Sequence, residues 1–111
     1  MSAAPLCQLD QLGDPGSAAF VAHVDGRETA VMVIRRGNDA WVYINSCPHI
    51  GSPLDFTPGT FLNLEKTHIQ CATHGALFQI DDGLCIYGPC VQARLEPVAA
   101  TVRDGAVFLA P

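Results

Sequence analysis

A chain of 111 residues is long enough for one domain with a modest core and too short for two, so residues 1–111 are read as a single unit. With 11 acidic and 6 basic residues the net charge is −5, which argues against a nucleic-acid partner and suits docking onto a basic patch of another protein. No apolar run approaches the roughly 20 residues that a bilayer span needs, so no membrane association is expected. The segment Met1-Ser2-Ala3-Ala4-Pro5-Leu6 has no apolar h-region, and no basic residue precedes Arg27. Neither a secretory nor a twin-arginine leader is expected, and the reading is a soluble, cytoplasmic protein.

Residues 18–24 are rich in β-formers and run into Asp25-Gly26, a hairpin signal, with 28–34 as the return strand. On that strand Thr29, Val31 and Val33 oppose Ala30, Met32 and Ile34. Gly37-Asn38-Asp39 turns the chain into residues 40–45, completing a three-stranded meander that delivers the chain to Cys47. Trp41 and Tyr43 share one face of this strand and are assigned to packing. After Pro53, Pro58 and Gly59, residues 60–64 and 67–70 flank a Glu65-Lys66 turn and lead to Cys71. Residues 76–80 and 84–86 flank Asp81-Asp82-Gly83, and Gly88-Pro89 breaks the second of these strands. Residues 98–102 and 106–110, joined by Arg103-Asp104-Gly105, form a last hairpin. No segment sustains a 3.6-residue period with caps, which predicts an all-β fold of short antiparallel strands.

Two segments carry chemistry. Cys47-Pro48-His49 and Cys71-Ala72-Thr73-His74 each offer a thiolate and an imidazole within a few residues. Such a Cys₂His₂ set suits either tetrahedral zinc or a [2Fe–2S] cluster in which two His replace two Cys on one iron. A ββα zinc finger needs a His pair on a helix, whereas here each loop carries one Cys and one His, so the common finger is disfavoured. Gly51 and Gly75 sit where a tight cluster loop needs them. His23 and His68 lie in predicted strands with no partner at metal spacing and are read as ordinary strand residues. Five cysteines is an odd number for a disulfide framework, so Cys7, Cys85 and Cys90 are read as reduced, packed side chains.

The stretches Cys47-Pro48-His49-Ile50-Gly51-Ser52-Pro53-Leu54 and Cys71-Ala72-Thr73-His74-Gly75-Ala76-Leu77-Phe78 resemble the Rieske [2Fe–2S] family. The likeness continues through Asp81-Asp82-Gly83 and Gly88-Pro89, covering about residues 41–97. It implies a Rieske-type antiparallel β-sandwich or barrel with cluster-binding loops at about 46–55 and 71–78 and a proline loop at 87–90. It also implies that Cys47 and Cys71 hold one iron and His49 and His74 the other. The gap between the pairs is longer than expected for ferredoxins of aromatic-ring dioxygenases, consistent with an insertion around Asp55–Phe61.

Two ferric ions, two sulfides and two thiolates cancel in charge, so the oxidised centre is neutral and accepts an electron more readily than an all-Cys cluster. Imidazole ligation accordingly places such centres at about −150 to +300 mV. In high-potential members a disulfide joins the two loops; the matching positions here are Ser52 and Thr73. The Ser and Tyr hydroxyls that those members set near the cluster are replaced by Ala76 and Phe78. A low-potential, ferredoxin-like centre is therefore expected.

The resemblance implies a one-electron carrier between a reductase and a terminal oxygenase or similar acceptor, not an enzyme. The chain has no nucleotide-binding glycine motif and nothing resembling the mononuclear-iron domain of an oxygenase. The alternative is a non-catalytic subunit of a larger complex, similar to the small subunit of cytoplasmic nitrite reductases, many of which lack the ligands present here. A structural zinc module is a third reading.

Overall fold

The structure is a computed structural model that describes residues 5–46, 48, 54–55, 59–71, 75–88 and 91–109. Among the described residues ten strands run in chain order: β1 (Cys7–Gln8), β2 (Gly16–Val24), β3 (Arg27–Arg36), β4 (Asp39–Ile44), β5 (Ile69–Gln70), β6 (Leu77–Phe78), β7 (Cys85–Tyr87), β8 (Pro97–Val98), β9 (Ala100–Arg103) and β10 (Ala106–Leu109). One 3₁₀ turn, Leu9–Gln11, follows β1. Among the described residues no helix is long and apolar enough to cross a membrane. The strands form three antiparallel sheets, ordered β2-β3-β4-β8, β1-β10-β9 and β5-β6-β7.

The predicted meander is present as β2, β3 and β4. Its first turn works because Asp25 (φ 52°) and Gly26 (φ 79°) both take the left-handed conformation that a two-residue hairpin requires. Side chains alternate across a strand, and on β3 this alternation serves two cores. Val31 and Val33 face Val42, Cys7, Leu9 and Val107, so one core lies against the β1-β10-β9 sheet. Met32 and Ile34 face the opposite way, with Tyr43, and meet Ile69, Phe78, Cys85 and Leu95 in a second core. The register fits this division, Met32 pairing with Tyr43 and Val33 with Val42. The sequence alternation at residues 29–34 thus separates two interiors, where an antiparallel sheet commonly keeps one face wet.

Three predicted strands are shorter than expected. Residues 60–64 contribute one bridge, Leu62 to Ile69; Thr67 and His68 belong to the preceding turn; and residues 76–80 reduce to Leu77–Phe78. Asn63 explains the first two: its Oδ1 accepts the N–H groups of Thr67 and His68, so a side chain takes hydrogen bonds that a strand ladder would otherwise use. The chain start adds a strand that the sequence pattern does not announce. β1 pairs with β10, and the Arg35 guanidinium donates to the carbonyls of Leu9 and Leu12, tying that segment to β3.

Candidate metal centre

The second core fixes the ends of the loops that the sequence singles out. The chain leaves β4 at Ile44, and Asn45 closes the first loop at its base. Its Oδ1 accepts the Leu54 N–H at 2.9 Å and its Nδ2 donates to Asp55 Oδ1 at 3.1 Å. The Asn45 N–H in turn donates to Ala30 O on β3. The other Asp55 oxygen accepts the Gly59 N–H at 2.9 Å, closing the segment in which an insertion is expected. Ser17 of β2 anchors the continuation: its hydroxyl donates to Gly59 O at 2.7 Å and accepts the Phe61 N–H at 3.2 Å.

The second loop is closed by its own backbone. The Cys71 N–H donates to Ala76 O at 2.9 Å and the Gly75 N–H donates to Cys71 O at 2.8 Å. Gly75 has φ +69°, and no atom outside its chain neighbours crowds the place of a Cβ, so the residue serves the reversal rather than close packing. Gly51 lies outside the described residues. Cys71 is fully buried in one apolar cluster with Leu54, Ala76 and Phe78. The end of the first loop and both ends of the second are therefore packed together.

The third loop leaves β7 at Tyr87. Gly88 has φ +105°, and a Cβ there would stand 2.9 Å from Ala76 Cα. Only glycine allows this approach, which lays the start of the proline loop over the end of the second loop. Gln92 donates its N–H to Cys85 O and brings the chain back.

Of the four expected ligands, Cys71 stands within this assembly, and Cys47, His49 and His74 lie outside the described residues. So do Ser52, Thr73, Pro53, Pro89 and Cys90. Among the described residues no group of three or more His, Cys, Asp or Glu side chains is placed to hold a metal ion. His23 is exposed on β2, and His68 Nδ1 lies 2.9 Å from Thr67 Oγ1. Cys7 is buried in the first core, where desolvation pushes its thiol pKa up, and Cys85 is buried in the second with its Sγ donating to Tyr87 O at 3.3 Å. Both match the reading of packed small side chains.

The donor chemistry fits a soft metal centre. The sulfur of Cys71, buried with Leu54, Ala76 and Phe78, is a donor that would suit a soft metal bound there. Behind the loops, Tyr43 donates its hydroxyl to Ile80 O at 2.6 Å. Burial, followed by the charges of Asp82 and Asp81, pushes the Tyr43 pKa up to about 12. The phenol is thus a neutral strut linking β4 to the β6–β7 turn. Asn45, Ser17 and the close contact of Gly88 are the supporting parts that the sequence reading passes over. A polar residue directly after an apolar strand and directly before a ligand loop is the one signal that points to Asn45.

Fold and loop ends define an antiparallel β protein in which the described ends of three loops pack around Cys71 and Ala76. Residues 2–103 match the Rieske [2Fe-2S] domain model, and the chain belongs to that family. No curated protein matches the chain significantly. Among solved structures, the ferredoxin of carbazole 1,9a-dioxygenase from Nocardioides aromaticivorans IC177 is 28% identical, with TM-score 0.76 over 100% of this chain and 99% of that one. The Sphingomonas yanoikuyae B1 ferredoxin is 24% identical, with TM-score 0.71 over 99% of each chain. A chain in the complex of reduced oxygenase and oxidized ferredoxin in carbazole 1,9a-dioxygenase is 20% identical, with TM-score 0.73 over 96% of this chain and 100% of that one. The fold is thus that of small Rieske ferredoxins, and family membership implies a Rieske-type [2Fe–2S] cluster as the cofactor.

Proposed function

We propose that this protein is a Rieske-type ferredoxin, a one-electron carrier that takes electrons from a reductase and delivers them to a terminal oxygenase or similar acceptor. The observation that carries the reading is the match of both whole chains to a dioxygenase ferredoxin, together with the stapled Cys71 loop. A related complex pairs an oxygenase with its ferredoxin, which supports an oxygenase as the acceptor. The chain is not itself an enzyme: its role is to bring a redox centre to the surface of a partner. We read residues 1–111 as one domain, working in the cytoplasm.

In this reading Cys47 and Cys71 ligate one iron and His49 and His74 the other. When bound, the cluster supplies a one-electron couple whose oxidised form is neutral. The protein's own part is structural. Asn45 holds the ends of the first loop, the Cys71–Ala76 backbone bonds hold the second, and Gly88 lays the third against them. Leu54 and Phe78, both fully buried, keep water from the thiolate side. Hydrogen bonds to cluster sulfurs raise a potential. Ala76 and Phe78 bring no hydroxyl, and Ser52 and Thr73 cannot form a disulfide, so the centre is of the low-potential type.

A reductive titration followed by transfer tests this. The holoprotein should take up one electron per chain reversibly and be reoxidised on mixing with an oxidised Rieske-type oxygenase, with no turnover of its own. A chain that takes up no electron sinks the proposal. Co-purification as a fixed subunit of a large reductase, with no exchange of electrons as a free chain, would favour the alternative.

A further inference from the structure

A net charge of −5 suggests docking by charge, but the distribution of the charges points elsewhere. Between Ala40 and Ala93 the only Asp, Glu, Lys or Arg residues are Asp55, Glu65, Lys66, Asp81 and Asp82. Asp55 is half-buried, with both oxygens engaged by Asn45 and Gly59. Glu65 and Lys66 occupy the turn beyond the Leu62–Ile69 bridge, away from Cys71. Asp81 and Asp82 lie in the turn between β6 and β7, at the end of that pair opposite Gly88. Of the loop segments at about 46–55, 71–78 and 87–90, only the first contains such a residue, the engaged Asp55.

The loop end instead exposes apolar side chains. Ile86 is 42% exposed, Tyr87 63% and Val91 53%, three of the five exposed large hydrophobic residues described. They flank Gly88, whose backbone abuts Ala76, and Tyr87 is the register partner of Leu77, just beyond the Cys71 loop. β7 is the outer strand of its sheet, and a register irregularity against β6 accompanies the exposure of both Ile86 and Tyr87. Exposed hydrophobic residues grouped beside a site mark an interaction surface more than the same residues scattered singly.

We propose that Ile86, Tyr87 and Val91 form an apolar docking surface for a redox-partner protein that presents a matching uncharged, apolar face. The inference rests on the carrier reading and adds the chemistry of the partner. A charged residue on the partner facing this surface would lose water and gain no counter-ion, which selects against it. Tyrosine supplies large contact area with little rotamer entropy to lose and is enriched among residues that dominate binding energy. The carboxylates elsewhere act through the long-range field and solubility. Electron transfer through this face is therefore insensitive to salt and sensitive to loss of apolar area.

The test uses the holoprotein and a surrogate partner of known chemistry, gold carrying methyl-terminated or ammonium-terminated monolayers, read by voltammetry. Transfer should be fast on the methyl surface and unchanged as ionic strength rises from about 0.02 to about 0.5 M, which shortens the Debye length severalfold. The double variant Ile86→Ser, Tyr87→Ser should slow it roughly tenfold, whereas Leu64→Ser, on an isolated residue 98% exposed, should not change it. Faster transfer on the ammonium surface, or a double variant equal to the parent, would overturn the proposal. So would a dimer in sedimentation that the double variant dissolves, since the surface would then belong to a second copy. EPR of each sample separates these results from failure of the carrier reading, in which the parent shows no reducible cluster.

Discussion

The Asn45 carboxamide and the Leu54 N–H, nine positions apart, meet at 2.9 Å and close the first ligand loop at its base. The same side chain reaches Asp55, so one residue holds the described end of the loop at two consecutive positions. Asn45→Ala leaves a half-buried N–H and carboxylate without this partner, a cost of about 1–3 kcal/mol. The midpoint of denaturant unfolding should fall, and iron retained per chain after gel filtration should fall with it. Asn45→Asp keeps an acceptor for Leu54 but sets a second carboxylate beside Asp55 and loses the Nδ2 donor, so it should recover only part of the loss.

Gly88→Ala tests how the third loop is seated. The new Cβ would stand 2.9 Å from Ala76 Cα, at φ +105°, where backbone strain alone costs on the order of 1–3 kcal/mol. The loop should lift from Ala76, and iron loss to a chelator should accelerate more than global unfolding does. Equal effects on both rates would mean that the contact supports the fold and not the cover of the centre.

Tyr43 gives a pH dependence with a definite sign. Its folded pKa, about 12, lies above the ordinary value of about 10 that the unfolded chain has. A raised value favours the protonated form in the folded state, so this stabilisation is complete below about pH 10 and lost as pH rises toward about 12. Unfolding free energy should drop over that window by about 1–3 kcal/mol. Tyr43→Phe should remove that contribution and also lose the 2.6 Å bond to Ile80 O, making the protein less stable at neutral pH. Titration of chemical stability from pH 8 to 12 in both forms checks it.

Ala76→Ser restores one hydroxyl at the end of the second loop. Ala76 is 1% exposed and pressed by Gly88, so the added oxygen enters a buried space beside the Cys71 loop. A hydrogen bond from it toward the centre should raise the reduction potential by tens of millivolts, since about 1 kcal/mol corresponds to about 40 mV for one electron. Protein-film voltammetry reads this directly, and an unchanged potential would remove Ala76 from the tuning argument.

The meander was legible because Asp25-Gly26 and Gly37-Asn38 are strong local signals and β3 alternates cleanly. That alternation did not disclose its second use, since Val31–Val33 and Met32–Ile34 are equally apolar and their separation into two cores depends on sheets formed elsewhere. β1 escaped notice because two residues, Cys7 and Gln8, carry no period; pairing with β10 makes them a strand. At the site, the Cys and His spacing pointed to the family that residues 2–103 match. Asn45 and Gly88 were not legible as supports, because their work is done by contacts with Leu54, Asp55 and Ala76 that no spacing rule encodes. The overall acidity is a sum over the chain and does not locate its carboxylates; at the first loop, Asp55 is engaged by Asn45 and Gly59.

The central claim is the resident cluster, and one sample tests it. Protein purified anaerobically should be red-brown, hold about two irons per chain, and show a rhombic EPR signal of low average g after dithionite. A colourless protein holding about one zinc, with no signal on reduction, would contradict the account and leave a structural module.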